Sequence, residues 1–242
     1  MGNVTVACVA VLVGAALATA NFDLWDGAKD GDLPKVKEAL AAGSDPNWQN
    51  PDVKWGYTAL HWAAANNHPA IVTELLGAGA DKNIKNNDGS TPLWIASSRG
   101  STDVITLLVS HDANVNMEDN YGTTAIMEAT SRGHLSAVET LIAADADLTL
   151  TYNYGNTPLH YAAWKNEVDI AQVLLQAGAD KTIQNNLGKT PGDYARQNRN
   201  PQLGEIIDNY VKNKFILITK LFVKKINGNK NLNVAKNKIE IY

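Results

Sequence analysis

Any reaction run by this chain would have to start from its five histidines, its single cysteine or its recurring carboxylates, the side chains that move protons, attack carbonyls or hold metals near neutral pH. His61 and His160 sit in nearly the same word, TALHWA and TPLHYA, while His68 and His134 fall near the starts of later apolar runs. His111, in VSHDAN, has Asp112 beside it but no third group at ligand spacing. Cys8 has no second thiol, so neither a disulfide nor a thiolate metal site follows from it. Asp81, Asp88, Asp119 and Asp180 would suit a hard cation only if their oxygens converged on one centre, and the D-x-[DN]-x-[DN]-G spacing that does this is absent. Nor is there an H-E-x-x-H, a G-x-S-x-G or a Gly-Lys-Ser/Thr phosphate loop. These patterns imply no catalytic residues, no metal and no cofactor, with the aspartates read as turn formers.

The elements that carry these residues repeat. NNDGSTPLWIASSRG at 86–100 returns as NYGNTPLHYAAWKNE at 153–167, and the shared Thr falls at Thr58, Thr91, Thr124, Thr157 and Thr190, a step of 33 residues. Gly56, Gly89, Gly122, Gly155 and Gly188 each precede that Thr by two positions. A Thr hydroxyl caps an orphan backbone N–H, and Pro92, Pro158 and Pro191 lose no hydrogen bond at a first helical position, so a short helix is expected after each Thr. A second apolar stripe follows each time, as in Ile71, Val72, Leu75 and Leu76 or Val104, Ile105, Leu108 and Val109, and predicts a second helix with one buried side. Helices this short barely persist alone in water, so stability must come from stacking on neighbouring repeats. The ends of the second helices align Gly43, Gly79, Asp112, Asp145 and Gly178 at one position, where a left-handed residue is expected.

With these words and this period the chain resembles the ankyrin-repeat family over residues 22 to about 210. The resemblance implies an all-α repeat solenoid of stacked helix-turn-helix pairs with projecting hairpin-like loops. Its domain would span 21–210, with an N-terminal cap at 22–43, repeats starting near 56, 89, 122 and 155, and a C-terminal cap at 188–210, six helix pairs in all. It also implies structural roles for the histidines of the TxLH words and for His68 and His134, and a protein partner gripped by loop tips and the exposed side of the first helices. Carried over repeat by repeat, the candidate partner-binding residues are Trp55, Tyr57, Asp88, Ser90, Tyr121, Thr123, Tyr154 and Asn156 around the loop glycines. Arg99, Arg132, Trp164 and Lys165 join them late in the first helices. Trp, Tyr and Arg dominate interface hot spots because they bury much area and keep a polar handle. Trp62 and Trp94 are expected instead to fill gaps between first helices.

Charge is uneven along the chain. The formal net charge is -4, but residues 211–242 hold eight Lys against Glu240, which leaves -11 on residues 1–210. An acidic body is poorly suited to nucleic-acid phosphates. The partner is therefore expected to be a protein and the chain a monomer. The apolar run Val4 to Leu17, followed by Ala18-Thr19-Ala20, predicts a signal peptide over 1–20 cleaved before Asn21, and hence a secreted protein, with an uncleaved membrane anchor or a cytoplasmic chain as the alternatives. The Lys/Asn/Ile-rich tail at 211–242 breaks the period and is expected to be disordered, with a basic membrane-surface contact not favoured.

Overall fold

A computed structural model describes residues 2–51 and 54–211 of the chain. Among the described residues there are twelve helices and no named strand. They fall into six pairs: α1 (Gly2–Asp30) with α2 (Leu33–Ala41), α3 (Ala59–Ala65) with α4 (Pro69–Gly77), α5 (Pro92–Arg99) with α6 (Thr102–Ser110), α7 (Ala125–Ser131) with α8 (Leu135–Ala143), α9 (Pro158–Lys165) with α10 (Val168–Ala177), and α11 (Pro191–Gln197) with α12 (Pro201–Asn209). The first helices of successive pairs pack on one another, and so do the second helices from α2 to α10, giving a two-layered stack. Between the layers lie Leu60, Leu93, Ile126 and Leu159 from the first helices and Leu75, Leu108, Leu141 and Leu174 from the second, all buried.

Every Thr of the 33-residue step stands just before its helix with an extended backbone, φ between -81° and -97°. In two repeats a histidine closes the cap. His61 Nδ1 accepts the Thr58 N–H at 3.2 Å, and its Nε2 donates to the Ser90 carbonyl at 3.0 Å in the following loop. His160 does the same between Thr157 N and Lys189 O. Thr190 and Asp193 form the matching box at the last repeat. These two imidazoles thus join one repeat to the next. His134 acts one layer away. Its Nε2 lies 3.1 Å from Ser98 O, and its ring packs so closely on Gly100 (φ +71°) that a Cβ there would come within 2.8 Å of it.

Two differences from the sequence reading stand out. The first helix is longer than the expected cap: α1 runs unbroken from Gly2 to Asp30, with no Pro between the apolar run and the cap. Ala20, Leu24, Trp25 and Ala28 are buried against the stack, whereas residues 14–19 are exposed. Among the described residues no helix is long and apolar enough to cross a membrane. Second, the one β-bridge among the described residues joins Tyr152 and Asn156, while the loops at 86–90, 119–123 and 185–189 are held by Asn or Asp side chains. The tail expected to be disordered lies, from residue 212 onward, outside the described residues.

Candidate functional site

Along the loop edge the side chains of Asn86, Asp119 and Asn185 fix the chain. Each Oδ1 accepts two backbone amides: Asp88 and Ser90 for Asn86 (3.0 and 2.8 Å), Tyr121 and Thr123 for Asp119 (2.9 and 2.8 Å), and Leu187 and Lys189 for Asn185 (both 3.0 Å). Asp119 also accepts the Thr123 hydroxyl at 2.6 Å. With its polar atoms satisfied in this way, each loop is a rigid platform, and the residue before its glycine is pushed outward. In these three loops that residue is Asp88, Tyr121 or Leu187, and in the other two it is Trp55 or Tyr154; the four large apolar or aromatic ones are all exposed.

Between the loop edge and the first helices runs a groove of about 630 Å³. Of the candidate residues, Trp55, Tyr57, Asp88, Ser90, Arg99, Tyr121, Thr123 and Arg132 line it. Tyr154, Trp164 and Lys165 lie outside the groove, exposed on the fourth repeat, with Lys165 Nζ 4.4 Å from the Trp164 ring centre. Ser90 and Asn156, expected at the surface, are buried. The Ser90 amide and carbonyl are taken up by Asn86 and His61, and Asn156 Oδ1 accepts the Asn185 amide group at 2.8 Å, so both serve the stack.

The groove also uses residues that the sequence reading did not place there. Trp62 and Trp94 do fill space between first helices, but they are only half-buried and form part of its wall. Trp62 lies edge-on to Trp25 at 5.5 Å and to Tyr57 at 5.0 Å, with Lys29 over its ring at 5.6 Å. The indole N–H groups of both Trp62 and Trp94 are buried and have no acceptor among the described residues. Glu128 lines the same wall, 14% exposed, held by Arg132 Nε at 2.6 Å and by the Ser98 hydroxyl at 3.1 Å. A signal for it was available: at 33-residue spacing Glu128 aligns with Trp62, Ile95, Tyr161 and Tyr194, a carboxylate among apolar side chains. Burial pushes the Tyr57 phenol up, Arg99 opposes that shift and Asp88 reinforces it, which places both charges within electrostatic reach of this half-buried ring. The hydroxyls along this wall are tied into the fold, Thr123 to Asp119 of its own loop and Ser98 to Glu128 of the next first helix. What the wall offers is aromatic surface and two arginines, the chemistry of recognising another chain.

A family model described as ankyrin repeats in three copies matches in overlapping registers, at residues 24–119, 60–152 and 113–185. Among curated proteins, ankyrin repeat domain-containing protein 40 of Homo sapiens is 41% identical over 76 residues, 31% of this chain and 20% of its own length. The E3 ubiquitin-protein ligase KEG of Arabidopsis thaliana is 42% identical over 89 residues, 37% of this chain and 5% of the ligase. An ankyrin repeat-containing protein of Schizosaccharomyces pombe is 33% identical over 79 residues, 33% of this chain and 37% of that protein. The match thus takes in well under two thirds of each of these relatives.

Proposed function

The chain belongs to the ankyrin-repeat family, whose repeats are in general protein-interaction modules, and on that premise we propose that it is a non-catalytic scaffold binding one protein partner along the groove and the loop edge beside it. The observation that carries this reading is the set of large aromatic side chains left exposed along the loop edge: Trp55 at 47%, Tyr121 at 66% and Tyr154 at 60%. The Tyr121 loop is held by Asp119, so little ordering entropy would be lost there on binding. With the purified full chain as bait, replacing Trp55 or Tyr121 by Ala should weaken retention of the captured partner about tenfold or more, with the circular-dichroism melt unchanged. Equal capture by both variants, correctly folded, would remove the groove edge from the interface.

On the same reading the chain is exported and residues 1–20 are removed. The support is the apolar run ending in Ala18-Thr19-Ala20, together with the alignment of residues 23–29 of α1 opposite α3, which makes the rest of α1 an extension beyond the repeat. Intact mass of the mature protein should start at Asn21. A mass that includes Met1 or Gly2 would favour the tethered alternative, in which the N-terminal segment stays on as an anchor.

A further inference from the structure

Neighbouring loops are stitched together by a backbone ladder. Asn87 N donates to Trp55 O at 3.1 Å, Asn120 N to Asp88 O at 2.9 Å and Asn186 N to Tyr154 O at 2.7 Å, and Asn87 and Asn120 add a side-chain bond to the loop before them. The rung between Tyr121 and the loop at 152–156 is missing among the described residues. Its cause is local. At the position of Asn86, Asp119 and Asn185 this repeat has Tyr152, which has no carbonyl or carboxylate with which to gather the loop amides. The loop closes on itself instead: Tyr152 and Asn156 exchange both backbone bonds at 3.0 and 2.9 Å, and Asn153 and Tyr154 are forced to φ +40° and +64°. Asn153 N makes no bond to the Tyr121 carbonyl.

Around this open rung are the Tyr121 carbonyl, with no partner among the described residues, and Tyr121 and Tyr154, two of the most exposed large side chains; along the adjoining groove wall Arg99 and Arg132 stand beside Asp88, Asp119 and Glu128, with Glu128 held by Arg132 and Asp119 by its own loop. Resting on the interaction reading above, we propose that the open rung is a subsite for an arginine side chain of the partner. A guanidinium donates in its plane to the Tyr121 carbonyl and presents its flat face to tyrosine rings, a combination an ammonium does not offer. The acidic body, -11 over residues 1–210, favours a cationic side chain over a carboxylate.

The test uses the full chain and three small probes at matched millimolar concentrations: the N-acetyl methylamides of arginine, lysine and glutamate, followed by amide chemical shifts. Arginine should shift residues 119–123 and 152–156 selectively, and more than lysine or glutamate. Tyr152→Asn, which restores the Asn-Asn-x-Gly word of the 86 and 185 loops and with it the rung, should weaken the arginine response about two- to fivefold, while Tyr152→Phe should retain it. Tyr154→Gly is a second variant that removes one ring at a backbone position glycine adopts freely, and it should also weaken the response. Equal responses to all three probes, shifts confined to Trp62 and Trp94, or an arginine response undiminished in Tyr152→Asn and Tyr154→Gly would each overturn the subsite. None of these outcomes would touch the broader reading, which stands or falls on capture by the Trp55 and Tyr121 variants.

Discussion

Acidification from pH 7 to pH 4 should remove about 3 kcal/mol of stability through His61 alone. Burial lowers its pKa from 6.5 to about 4, only partly offset by the hydrogen bonds to the Ser90 and Ile84 backbone. The geometry gives the reason: Nδ1 accepts the Thr58 amide, so a proton there would face another N–H inside the stack. The folded chain keeps this imidazole neutral, whereas the unfolded chain binds a proton as soon as the pH drops below about 6.5. Stability is therefore fully present above that value and falls steadily toward pH 4. His160, shifted down by the same burial, adds to the loss with the same sign. Urea midpoints measured at pH 7.5, 5.5 and 4.5 should drop in that order, and His61→Gln, which keeps a capping side chain without a titrating group, should flatten the curve. A midpoint that does not move between pH 7.5 and 4.5 would show that His61 is protonated in place and that its role as an inter-repeat link has been misread.

The triple variant Asp112→Gly, Asp145→Gly, Arg199→Gly should gain about 2 kcal/mol. All three residues are in the left-handed region, at φ +58°, +59° and +63°, where glycine carries no Cβ clash. Asp112 and Asp145 follow second helices at the position held by Gly43, Gly79 and Gly178, and their charges stand near the negative ends of α6 and α8. Arg199 follows α11 at the position of Gly100 and Gly133. The greater backbone freedom of glycine in the unfolded chain offsets part of the relief, leaving about 0.5–1 kcal/mol at each site. The sites are far enough apart in the chain, in separate turns, to add. Gly79→Asp, with nothing within 4 Å of its added Cβ, is the control and should destabilise through backbone strain alone. A triple variant with a lower urea midpoint than the parent would mean that these carboxylates or the guanidinium hold a cap.

Much of this protein was legible because its physics is local and repeated. Thr at the head of each first helix, Pro behind it, an apolar stripe in each second helix and a left-handed residue past its end are all set by nearest-neighbour backbone chemistry. That chemistry needs no knowledge of the distant chain, so the 33-residue step and the stripe behind it were enough to place α3 to α11 and the left-handed turns at Asp112 and Asp145. The same local rules stop a helix only where a breaker stands, and none stands between residues 15 and 22, so α1 continues from the apolar run into the cap.

The groove was only partly legible, since whether a side chain is a wall or a filler depends on the repeat beside it. Ser90 and Asn156 look exposed in a single loop, but become buried once His61 and Asn185 from other repeats close on them. Trp62 and Trp94 lie at gap-filling positions, yet the neighbouring helices leave part of each open and give their indole N–H groups no acceptor. Tyr152 shows the same division from the other side. The sequence alone determines that it breaks the Asn/Asp pattern of the loops, because that needs only the alignment of one repeat on another. That its loss opens a rung beside Tyr121 was decided by tertiary structure, because a hydrogen bond between loops 33 residues apart exists only after both have been stacked.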